Sequence, residues 1–265
     1  MAKPNLYDAI VSDVIATFYQ SAAFGVLLSF LIYPAYLQAV YTLREYLKAT
    51  PFFAGFDHEG LIFTFLFCVG HGITYYSLNG LFFSLDYFQL LQKYKLHRTK
   101  IMQPPAALLK KAVTSATISQ LTFMPLVIYK ILYPLAVRCG LYNLTAPLPS
   151  AWYLFLGYII DHQVNTIGFY LTHRLLHHKL FYSRFHKQHH EFVGVTTLAS
   201  EYASPVEQIV GNIIPTLGGL FLIPTHNVSF IVWLVSSAAP SLSLSSSPMT
   251  SYYSNLSLLC CAART

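Results

Sequence analysis

Apolar residues in this chain fall in long runs. Four runs, residues 14–41, 61–88, 118–137 and 151–171, reach the about 20 residues a helix needs to cross a bilayer. Two shorter runs, residues 209–222 and 228–235, are separated by a turn carrying Pro224, His226 and Asn227. Pro34 in the first run and Pro125 and Pro134 in the third are expected to bend their helices. The pattern predicts an all-α integral membrane helical bundle with about four main spans and a following membrane hairpin.

The polar links set an orientation. Residues 93–111 hold Lys93, Lys95, Arg98, Lys100, Lys110 and Lys111, which the positive-inside rule places in the cytosol. Asn143-Leu144-Thr145 is a glycan acceptor sequence, and the same topology puts it on the luminal side. The fourth run then returns the chain to the cytosol, where Arg174, Lys179, Arg184 and Lys187 follow it.

Composition agrees. The chain is 55% hydrophobic and 10% charged, with a mean hydropathy of +0.49, whereas soluble domains carry about 25% charged residues. The net charge of +6 fits basic loops beside spans and not nucleic-acid binding, since the cations cluster next to apolar runs. Cys68, Cys139, Cys260 and Cys261 form neither a disulfide framework nor a C-x-x-C pair. The first residues make a poor cleavable signal, so the first span is expected to act as its own anchor.

The candidate chemistry lies just past the fourth run. His173, His177 and His178, then His186, His189 and His190, place six of the chain's eleven histidines within eighteen residues. On a helix, positions i and i+4 share a face, so His173 and His177 point together, and His186 with His189 or His190 repeats the arrangement. Converging neutral imidazoles suit iron, zinc or copper. A basic loop facing anionic lipid is the alternative, but scattered cations have no reason to repeat a doublet at fixed spacing. His71, inside the second run, is either functional or a histidine bonded to a neighbouring helix. Asp161, beside His162, is roughly 18 Å along a helix from His173, which favours a helix-packing or near-luminal role. Ser204 and Pro205 read as the N-cap and first turn of a new helix, with Glu207 near its positive end. Glu191, Glu201 and Glu207 are the acids available to stand behind ligand imidazoles, and equally to serve as helix caps or ion-pair partners.

HRLLHH, then HKQHHE, then EYASPVE resembles the fatty acid hydroxylase/sterol desaturase superfamily, and within it the C4-methylsterol oxidase branch and fatty acid hydroxylase domain-containing proteins. The resemblance implies an endoplasmic-reticulum enzyme with a histidine-bound centre of two irons facing the cytosol. It implies O2 and electrons from NAD(P)H, through cytochrome b5 or a reductase, used to oxidise a C–H bond of a sterol methyl group or fatty acyl chain. His173, His177, His178, His186, His189 and His190 are then the expected metal ligands. The expected organisation is an N-terminal transmembrane region at 1–150, the hydroxylase-like domain at 151–235 and a Ser-rich divergent tail at 236–265. Three positions depart from the family pattern. Ser204 stands where a histidine is usual, Asn165-Thr166 where a carboxylate pair is usual, and no histidine follows His226. The last departure makes a truncated or alternatively spliced paralogue, acting as a non-enzymatic membrane protein, the second reading. A metal transporter is a third, disfavoured because only His71, Asp161 and His162 lie inside the runs.

Overall fold

The computed structural model describes residues 6–90, 104–192, 198 and 201–233. Part of the basic loop (91–103) and the whole of the expected tail (236–265) lie outside the described residues. Among those described, every regular element is a helix. Helix α1 spans Leu6–Ala49, α2 His58–Tyr87, α3 Ala106–Arg138 and α4 Ala151–Leu176. Residues 205–221 form α5 and residues 227–233 form α6.

Among the described residues, three helices are long and apolar enough to cross a membrane: Ala22–Ala49 within α1, His58–Leu85 within α2, and Ala106–Arg138. The expected fourth span is present as the 26-residue α4 but is not among them. Asp161, His162, Gln163 and Asn165 interrupt its apolar run. The expected hairpin appears as α5 and α6.

Proline placement explains the irregular turns. Pro34 sits inside α1 without ending it. In α3 the helix widens to π geometry at Ser119–Phe123 and Ile128–Leu132, each ending two residues before a proline, Pro125 and Pro134. In α5 the π turn Gln208–Ile213 precedes Pro215 in the same way. A proline ring clashes with the carbonyl four residues earlier, and a wider turn relieves that contact. A fourth π turn, Tyr182–His186, has no proline after it and lies among the histidines.

Helix α4 is the hub, packed on α1 on one side and α5 on another. Helices in lipid gain little from apolar transfer, so close approach and polar contacts decide how they dock. Both are visible here. Gly25 of α1 lies against the Tyr158 ring, where a Cβ would stand 2.8 Å from ring carbons. Ser29 Oγ donates to the Tyr158 hydroxyl at 2.8 Å, and that hydroxyl donates to the Ser229 carbonyl at 3.1 Å. On the other side, Gly168 faces Pro215, Gly218 faces Val164, and Gly219 faces Asp161. Asp161 is buried, as its packing role requires.

The start of α4 is pinned as well. Ser150 caps it by accepting from Tyr153 N at 3.3 Å. The hydroxyl of Tyr33 and Nε2 of His226 both donate to the Ala146 carbonyl, at 2.7 and 2.9 Å. His226 is fully buried and serves as a structural post.

Gly219→Ala would place a Cβ 1.8 Å from Asp161 Oδ1 and 2.9 Å from its Cα, a clash with backbone as well as side chain. Overpacking of this kind costs about 1–3 kcal/mol. Thermal unfolding in detergent should show a clear loss for Gly219→Ala and little change for Gly157→Ala, where a Cβ would meet nothing within 4 Å.

Candidate metal centre

The last turns of α4 carry His173 and His177 one above the other. The chain then reverses through a short turn, Lys179–Phe181, the π turn Tyr182–His186 and a 3-10 turn, His189–Glu191. The reversal brings His186 and His190 back onto the α4 pair. Nε2 of His177 lies 3.2 Å from Nε2 of His173 and 3.3 Å from Nε2 of His186, and Nε2 of His190 lies 3.0 Å from that of His186. One nitrogen from each of the four rings falls within 4.8 Å of the other three.

Those separations suit one ion. Nitrogens held at about 2.0–2.1 Å from a metal stand about 3 Å apart at right angles and about 3.4 Å apart in a tetrahedron. A carboxylate fixes which nitrogen is free. Nδ1–H of His186 donates to Glu207 Oε1 at 2.5 Å, with the His186 side chain fully buried and that of Glu207 8% exposed. The proton on Nδ1 leaves Nε2 with its lone pair directed at the other rings. A carboxylate behind a ligand imidazole fixes its tautomer and raises its basicity. The donor set and its support therefore fit a divalent transition metal.

Two of the six expected ligands are not in this group. His178 is exposed, and its Nδ1 accepts from Leu180 N at 3.4 Å, capping the next turn. Its i+1 placement after His177 turns it away from the face His177 shares with His173. His189 stacks on His186 with ring centroids 5.5 Å apart and stands beside the cluster without joining it.

Glu207 keeps its expected place in the new helix and also reaches His186. Ser204 Oγ accepts from Glu207 N at 3.2 Å, as an N-cap does, and donates to the Phe185 carbonyl at 2.8 Å. The cap thus clamps helix α5 to the π turn that presents His186. Glu191 turns outward to Lys111 at 3.0 Å and to the Tyr202 hydroxyl at 2.9 Å. Those partners hold its carboxyl below the ordinary range. Glu201 pairs with His71 of α2, Nε2 to Oε1 3.3 Å, and accepts from Gln208 Nε2 at 3.3 Å. His71 is thus the histidine bonded to a neighbouring segment.

A sequence profile described as "Fatty acid hydroxylase" matches residues 160–257, a stretch that contains all four clustered histidines and Glu207. The chain carries a fatty acid hydroxylase domain. Among similar proteins, fatty acid hydroxylase domain-containing protein 2 of Macaca fascicularis is 27% identical, covering 72% of this chain and 61% of the relative. A fatty acid hydroxylase of Mycosarcoma maydis is 33% identical over 49% of this chain and 34% of its own length. A methylsterol monooxygenase of Aspergillus fumigatus is 27% identical over 63% of this chain and 56% of its own. The chain thus spans less than two thirds of the length of each. No solved structure matches it. The match to the fatty acid hydroxylase domain runs past residue 235, where the domain was expected to end.

Burial, and secondarily repulsion from the His186, His177, His189 and His190 charges, lower the His173 pKa from 6.5 to about 3. The ring is therefore neutral and able to ligate at any physiological pH. Between about 6.5 and 3 the unfolded chain takes up a proton that the fold refuses, so folding stability falls as pH drops through that window. Metal-stripped protein should unfold at progressively lower temperature below about pH 6.5, and His173→Asn should flatten that slope.

Proposed function

We propose that this chain is a membrane-bound, iron-dependent oxidoreductase that hydroxylates or otherwise oxidises a C–H bond of a lipid. The substrate is a sterol methyl group or a fatty acyl chain, and the reaction uses O2 with electrons from NAD(P)H, delivered through cytochrome b5 or a reductase. The observation that carries this reading is the four-histidine cluster backed by Glu207 within a fatty acid hydroxylase domain. Relatives named as fatty acid hydroxylases and methylsterol monooxygenases support both substrate classes. The three apolar helices and the basic residues beside the cluster support a membrane enzyme, with the endoplasmic reticulum as its compartment and the histidines on the cytosolic face.

His173, His177, His186 and His190 would hold the iron, and when bound it would supply the activation of O2 that an unreactive C–H bond demands. The rest falls to the chain. Glu207 holds the Nδ1 proton of His186 and keeps its Nε2 aimed inward. The Ser204 bridge keeps that pair in register with α4. Burial of His173 keeps protons from competing for its lone pair. The described cluster accounts for one ion; a second, as the family resemblance implies, would need His189 or His178 to turn toward it.

Elemental analysis of the gently purified protein should find iron. Glu207→Gln should weaken metal retention about 10- to 100-fold, while His178→Ala should leave it nearly unchanged. His190→Ala should abolish O2-dependent formation of oxidised lipid in membranes. Protein that retains neither iron nor zinc would reject this reading and leave a non-enzymatic membrane protein.

A further inference from the structure

Helix α2 presents two polar groups to the segment that leads into α5. His71 and Tyr75 are one turn apart and share a face, and their rings lie 6.4 Å apart and within 7° of parallel. Phe67, one turn earlier, stacks on His71 in the same way at 6.5 Å. The His71 ring is thus flanked by two aromatic neighbours, with its Nε2 3.3 Å from Glu201 Oε1. The Tyr75 hydroxyl donates to the Leu198 carbonyl at 3.3 Å, so α2 grips this segment at two places.

Glu201 is a bridge and not the end of a pair. Its Oε1 takes the bond from α2, and its Oε2 accepts from Gln208 Nε2 of α5 at 3.3 Å. Gln208 Nε2 also donates to the Glu201 carbonyl at 3.0 Å, and Gln208 Oε1 accepts from Asn212 Nδ2 at 2.8 Å. Both ends of that amide are engaged, and the Gln208 side chain is buried. The residue before it is Glu207, whose carboxylate holds Nδ1 of His186. A line of hydrogen bonds and one peptide link therefore runs from the middle of α2 to a histidine of the metal cluster.

An ionisable pair inside an apolar span is expensive, and well-packed apolar side chains would join two helices at least as well. What apolar side chains do not supply is direction. A carboxylate whose two oxygens are claimed by two helices fixes one helix against the other. Ser204 ties the start of α5 to the π turn, and Glu201 ties the end of its first turn to α2.

We propose that Glu201 is a positioning residue for the metal centre: by bridging His71 of α2 to Gln208 of α5, it sets how Glu207 meets His186 and so where the His186 lone pair points. The assignment rests on the metal-centre reading above, and on neither the identity of the metal nor the oxidation of a lipid.

The test is cobalt(II) titration of the metal-free full chain in phosphatidylcholine nanodiscs. Affinity is read by competition with a chelator, geometry by the visible ligand-field bands, and fold by thermal unfolding of the metal-free protein. Glu201→Gln and His71→Phe should weaken cobalt binding about 2- to 30-fold and shift the bands. His71→Gln, which keeps an N–H for Oε1, should recover most of the loss. The double variant His71→Phe/Glu201→Gln should bind no more weakly than the poorer single variant, because both changes break one line. Arg44→Gln removes the 2.6 Å ion pair with Glu59, and it should lower thermal stability while leaving affinity and bands alone. Unchanged affinity and bands in folded Glu201→Gln, equal losses for His71→Phe and His71→Gln, or additive losses in the double variant would each overturn this proposal alone. A wild-type chain that takes up no cobalt would overturn it together with the metal-centre reading. The expected cobalt pattern in a chain that forms no oxidised lipid would overturn the oxidative role and leave this assignment standing.

Discussion

The hydrogen bond from His186 to Glu207 is the contact on which the rest depends. It joins two segments well separated in sequence, the π turn after α4 and the first turn of α5, and it does so where both side chains are buried. Losing the carboxylate would leave a buried imidazole free to adopt either tautomer, and a ring that presents N–H to its neighbours cannot share a cation with them. The Ser204 bridge to Phe185 reinforces the same junction from the backbone. One junction thus governs both the docking of α5 and the direction of a lone pair.

Around that junction the bundle follows the logic of helices in lipid. Glycines of α1 and α5 admit Tyr158 and Asp161 at close range, and hydroxyl bonds such as Ser29 to Tyr158 lock the faces together. Asp161 and Asn165 of α4 are turned toward α5. The same polarity that removes α4 from the set of apolar spans equips it to hold α5, and through α5 the carboxylate behind the histidines. Structural and chemical demands meet on one helix.

Much of this was legible in the sequence. The helical class, the three most apolar spans, the i, i+4 pairing of His173 with His177 and the capping role of Ser204 all follow from spacing and hydropathy alone. The departures have identifiable causes. Hydropathy reads α4 as one more apolar run and does not reveal that Asp161 and Asn165 face a packed neighbour. The resemblance made all six histidines expected ligands; the structure gathers four of them and shows His178 as a cap. The place of Glu207 in a helical first turn was foreseen, and it stood among three acids placed to support the ligands. That it reaches an imidazole of the cluster, while Glu201 pairs with His71 and Glu191 with Lys111, depends on the reversal between residues 177 and 205, which no local pattern encodes. The π turn at Tyr182–His186 was equally invisible, because no proline marks it.

The four clustered histidines all lie between residues 173 and 190, while their carboxylate support arrives at residue 207. During synthesis the nitrogen donors therefore leave the ribosome before the acid that orients them. An ion captured early would meet rings of mixed tautomer, and the later docking of α5 would tighten its hold. The chain order thus makes Glu207 the last of these side chains to be added to the group, and its bond to His186 closes the arrangement.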